Sequence, residues 1–144
     1  MKSNIAIVAV LIAGAVGYVM WPTAPQTAST DSAISMEDRV LANVLLPETL
    51  SQIAKIRKIG FEAKCAACHG INAAGQDGVA PPLVHIIYEP GHHGDEAFQR
   101  AAAVGVRAHH WRFGDMPPVE GVIRADVTMI VAYIRELQRA NGIN

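Results

Sequence analysis

Apolar residues are laid out along this chain in two different ways. Residues 5–21 are an unbroken run of seventeen apolar or small residues without a charge, preceded by Lys2. Further on, apolar positions recur at helical spacing between polar ones. As a helix rising about 1.5 Å per residue, the first run spans about 25 Å, the short end of what crosses a bilayer. It ends in Tyr18-Val19-Met20-Trp21-Pro22, bulky where a cleavage site wants small residues, and Tyr18 and Trp21 suit a membrane interface. The favoured reading of residues 1–21 is an uncleaved membrane anchor, with a cleaved signal peptide as its rival. Residues 22–34 are rich in Pro, Ala, Thr and Ser, lack an apolar period, and read as a flexible linker.

Residues 35–144 are one domain's worth of chain. Ser35, with Asp38 three residues on, suits the cap of a short helix. Pro47 suits the first turn of a helix reaching about Lys64, with Leu50, Ile53, Ala54, Ile56 and Phe61 as its apolar positions. Asp95 suits the cap of a middle helix reaching about Val106, with Phe98, Ala101, Ala102 and Gly105 near one face. The clearest helix is residues 125–139, where Val127, Ile130, Val131, Ile134 and Leu137 form a stripe and Asn141-Gly142 supply the stop. No stretch alternates as a strand, so the expected class is all-α. The net charge is −1 and the basic residues form no long block, which leaves nucleic-acid binding without support.

Both cysteines of the chain and one of its six histidines fall in Cys65-Ala66-Ala67-Cys68-His69. C-x-x-C-H is the attachment signature of a c-type haem: two thiols add across the vinyl groups and the adjacent imidazole meets the iron. C-x-x-C alone also serves as a redox dithiol. With no third cysteine, a zinc ribbon or an iron–sulfur cluster lacks its usual soft ligands. Met116, between Gly114-Asp115 and Pro117-Pro118, sits on a proline-stiffened loop, poorly placed for a core stripe and suited to be the sixth iron ligand. Trp111 and Arg112, just ahead of that loop, suit haem propionates, the arginine as a charge-assisted partner. His85, His92, His93, His109 and His110 fit either surface and propionate roles or a second metal site. Arg135, Glu136 and Arg139 read as a solvated helix face.

Helix, haem motif, long loop, helix, methionine loop and terminal helix is the order of the class I cytochromes c. Residues 47–144 resemble a small single-haem domain of the bacterial, membrane-anchored kind. The resemblance implies about four helices around one covalently attached haem c, with Phe61 meeting Tyr133 where the first and last helices cross. It implies that Pro81, twelve residues after His69, offers its carbonyl to the histidine's free N–H, and that Leu83 packs on the haem edge. Where the family often has a glycine at the helix crossing, this chain has Arg57, with Gly60 as a substitute. The expected function is electron transfer between membrane-associated or periplasmic redox partners through a His69/Met116 iron. The domain would then lie on the periplasmic side of the inner membrane, behind a single-pass anchor. A haem-based gas sensor or peroxidase-like protein with a labile sixth ligand, and a haem subunit of a larger complex, are the alternatives.

Overall fold

The computed structural model describes residues 39–144; the proposed anchor, the linker and the Ser35–Asp38 cap lie outside them. Four α-helices are present among the described residues: α1 (Gln52–Lys64), α2 (Ala66–His69), α3 (Asp95–Val104) and α4 (Arg124–Ala140). Short 3-10 turns at Ile71–Ala73 and Ile86–Tyr88 fill the long loop between α2 and α3. The only extended pairing among these residues is two isolated bridges, Gln76 with Ala80 and Val106 with Met116. The all-α expectation holds for this part of the chain. No helix among the described residues is long and apolar enough to cross a membrane.

The helix boundaries follow local chemistry. α1 begins at Gln52 and not at Pro47, because Ser51 takes the cap: its backbone is non-helical and its Oγ accepts from the Ala54 N–H at 3.0 Å. Asp95 is not the cap of α3 but its first residue, following Gly94, and its carboxylate and that of Glu96 face the positive end of the helix dipole. α3 stops at Val104 because Gly105 adopts φ +79° and Val106 turns to pair with Met116. In α4 the Asp126 Oδ2 accepts from the Ile123 N–H at 3.0 Å, and Asn141 with Gly142 ends the helix as expected.

α4 carries the core. Ile130, Tyr133, Ile134 and Leu137 pack with Phe61 of α1 and with Ala73, Leu83 and Val84 of the loop. Phe61 and Tyr133, both fully buried, meet with ring centroids 5.7 Å apart and planes tilted by 49°. The Tyr133 hydroxyl donates to Asn72 Oδ1 at 3.2 Å, tying this crossing to the turn beyond the cysteine motif. Gly60 also lies at the crossing, but a Cβ there would sit 3.6 Å from Ile130 Cγ1, an ordinary contact. A methyl group would therefore be accommodated at Gly60, and Arg57, where a glycine was expected, is half-buried. Phe61→Ala would remove a fully buried ring from this contact and is expected to cost about 3–5 kcal/mol, read by denaturant unfolding of the haem-loaded protein. A loss below 1 kcal/mol would show that the crossing is not a keystone of the core.

Arg135 corrects the expectation of a solvated helix face. Its side chain is 9% exposed and donates to Asp95 Oδ1 at 3.0 Å, to the carbonyls of Tyr88 and His93 at 2.5 Å each, and to Gln138 Oε1 at 2.7 Å. The guanidinium also lies 5.0 Å from the Phe98 ring centroid. A planar group with five donors can serve loop carbonyls and a carboxylate together, where a lysine could not. Gln138, fully buried, donates to the carbonyls of Leu83 and Tyr88 at 2.8 and 3.0 Å. Through these two side chains α4 holds the loop that frames the site.

Candidate functional site

α1 delivers the chain into Cys65, whose N–H donates to the Phe61 carbonyl at 2.8 Å. The single turn of α2 then carries Cys68 and His69. Gln76, buried in the following loop, donates to the carbonyls of Ala66 and Ala67 at 3.3 and 2.9 Å and so clamps the motif's backbone. His69 Nδ1 lies 2.9 Å from the Pro81 carbonyl oxygen. Since that oxygen only accepts, Nδ1 carries the proton and Nε2 keeps its lone pair for a metal. Burial holds the imidazole below the ordinary histidine range, against the pull of the Pro81 bond, which keeps it neutral. Gly75, at φ +78°, makes this loop possible: a Cβ there would come within 2.5 Å of Pro82 N.

Reactive C-x-x-C pairs have a depressed pKa. Here burial, with Cys68 beside it, pushes the Cys65 thiol up to about 11. At Cys65 such a protonated, half-buried thiol is a poor exchange nucleophile.

Met116 is fixed by backbone pairing. Its N–H donates to the Val106 carbonyl and its carbonyl accepts from the Val106 N–H, each at 2.9 Å. Asp115 Oδ1 accepts from the Ala108 N–H at 2.8 Å, and the Val119 N–H reaches the Ala102 carbonyl at 2.9 Å. Gly105 permits the close approach, for a Cβ there would fall 2.5 Å from the Met116 carbonyl oxygen. The methionine loop is thus strapped to the end of α3.

These elements enclose one cavity of about 750 Å³, bordered by Cys65, Cys68, His69, Pro81, Leu83, Trp111 and Met116, with Phe98, Val127, Ile130 and Ile134 among its apolar walls. The size is that of a cofactor site, typically about 300–1,000 Å³. Trp111 stacks on Phe113 with centroids 5.8 Å apart, and its Nε1 is buried without a hydrogen-bond partner. It approaches Tyr88, whose hydroxyl burial raises above its ordinary range while Trp111 pulls it down, but the approach falls short of a well-formed hydrogen bond. An orphaned donor on the wall of an apolar cavity fits a ligand with an acceptor at its edge. The structure does not bring Arg112 to this cavity: it is exposed and absent from the lining, although residues 107–111 and Phe113 on either side of it border it. Lys64, Arg100 and Arg107 border it instead. Local sequence gave no signal for them, nor for Gln76.

The donor set fits a covalently held haem: two thiols and an imidazole on one turn, a thioether on the opposing loop, an apolar interior and an unpartnered N–H. The sequence model described as Cytochrome c matches residues 53–138, more than half of the chain. No curated protein and no solved structure gives a match. Motif, cavity and family match agree, and the chain belongs to the cytochrome c family as a class I c-type cytochrome that binds a covalently attached haem c.

Proposed function

We propose that this protein is a single-haem electron carrier and not an enzyme, with His69 and Met116 as the two axial ligands of its iron. The observation that carries this reading is the strapping of Met116 by Val106 beside the same cavity in which Pro81 orients His69. Hydrogen bonds within the protein hold both loops, so neither needs to move when the redox state changes. The haem supplies one-electron iron chemistry, and a thioether opposite a histidine favours the ferrous state. Cys65 and Cys68 would hold the macrocycle as thioethers, and Leu83 would pack on its edge. Trp111 Nε1 would donate to a propionate, with Arg100, Arg107 or Lys64 supplying the charge-assisted contact first assigned to Arg112. The apolar walls would keep water from a bound haem and so favour its less charged state.

Residues 1–21 would anchor the domain in the inner membrane by a single span, with the domain on the periplasmic side and residues 22–34 as the tether. Such a tether raises the effective concentration of the domain near membrane-bound donors and acceptors. If so, the haem-bearing protein stays in the membrane pellet through a high-salt wash and is released by detergent. Release by salt alone would remove the anchor.

Protein-film voltammetry of the haem-loaded protein tests the carrier against the peroxidase-like alternative. One reversible one-electron wave that hydrogen peroxide leaves unchanged is expected. A catalytic reduction current on adding peroxide would contradict the carrier.

A further inference from the structure

Four histidines from two distant loops gather at the rim of this cavity, and the His69/Met116 ligation proposed above uses none of them. His92, His93 and His110 each offer a ring nitrogen, and the three nitrogens lie within 4.8 Å of one another. His92 Nε2 and His110 Nε2 are 3.4 Å apart. Two imidazole nitrogens bound to one tetrahedral ion at about 2.05 Å are separated by about 3.3 Å, so this pair already has ligand spacing. His109 stands beside them, its ring centroid 4.3 Å from that of His110 and 6.1 Å from that of His93.

Two of the four rings are oriented as ligating histidines usually are. His93 Nδ1 lies 2.6 Å from the Ile87 carbonyl oxygen and His109 Nδ1 lies 2.8 Å from that of Arg107. Each Nδ1 therefore carries the proton, and each Nε2 keeps a lone pair. The first loop is braced from the core: the His92 and His93 N–H groups donate to the Glu89 carbonyl at 3.1 and 2.8 Å, and Arg135 donates to the His93 carbonyl at 2.5 Å. The second loop is braced by Asp115 on Ala108. Without an ion, clustered imidazoles gain little from one another and lose stability as soon as more than one is protonated. A divalent ion turns the same geometry into mutual support.

We propose that His92, His93 and His110 form a binding site for a divalent transition-metal ion of the zinc class, with His109 or water in the fourth position. Imidazole nitrogens in tetrahedral array suit Zn²⁺, and Cu²⁺ would compete for them. The site shares the rim of the cavity: His93 and His110 border it, while His92 lies outside its lining.

Calorimetric titration of the haem-loaded full chain with Zn²⁺ alone tests this. One ion per chain is expected, with affinity at least tenfold weaker in His92→Gln and in His110→Gln and unchanged in His85→Gln. Both substituted side chains are exposed, so the haem spectrum should stay that of the wild type and serve as the folding control. Zinc-edge X-ray absorption of the complex should show nitrogen neighbours at about 2.0 Å. Absence of binding to the haem-loaded protein, equal affinity in wild type and both variants, or an all-oxygen shell would each overturn the proposal. The readout is zinc and not electron transfer, so its failure leaves the carrier reading intact.

Discussion

A chain in which Cys65 and Cys68 are both alanine is expected to yield no haem that stays with the protein through acid–acetone extraction. The two thioethers are the only covalent links the sequence permits, since it has no other cysteine. The substitution should also leave the domain poorly folded. The 750 Å³ cavity runs between α4, the methionine loop and the cysteine motif, and a cofactor filling it would cover the apolar side chains that line it. A ligand bound only to the native state stabilises it by mass action, and a covalent one cannot be diluted away. The double variant is therefore expected to lose most of its cooperative thermal unfolding, followed by circular dichroism. Each single variant should retain haem on one thioether with a shifted reduced spectrum. Extraction-resistant haem in the double variant would refute attachment at this motif.

Met116→Ala carries the second large effect. Axial ligands set haem potentials over a range of about 0.8 V, and the thioether lies toward the high end of it. Its removal is expected to abolish the methionine–iron charge-transfer band of the oxidised protein and to lower the midpoint potential by an amount on the order of hundreds of millivolts. The fold should survive, because Met116 is tied to Val106 through backbone groups that alanine keeps. Retention of both band and potential would move the sixth ligand elsewhere, and His109 or His110, which border the same cavity, would be the first candidates.

The cysteine motif, the Pro81 carbonyl and the Phe61–Tyr133 contact could all be read in advance for a common reason. Each rests on a fixed spacing or on a residue type with one dominant use. Helix existence was legible from periodicity, but the start of α1 was not: Pro47 and Ser51 both carry start signals, and only the packed structure decides for Ser51. Arg135 was misread because a charge on a helix is ordinarily solvated. Its burial depends on the Tyr88 and His93 carbonyls, which lie more than forty residues away in the chain. Gln76, Gln138, Arg100 and Arg107 were overlooked on similar grounds, since each acquires its role only when distant segments meet. Arg112 fails in the opposite way: proximity in sequence to Trp111 suggested a shared target, and the loop turns the two apart. The histidines show the limit most clearly: the sequence offers His92-His93 and His109-His110 for surface roles or a second metal site, and only the fold brings His92, His93 and His110 together.

The most direct test of a closed His69/Met116 iron is to add carbon monoxide to the reduced, haem-loaded wild-type protein at neutral pH. If both axial positions are taken by His69 and Met116, the Soret and visible bands are expected to remain those of the unliganded ferrous form, while Met116→Ala binds the gas readily. Ready formation of a carbonmonoxy spectrum by the wild type would contradict closed coordination and make this a ligand-binding haem protein.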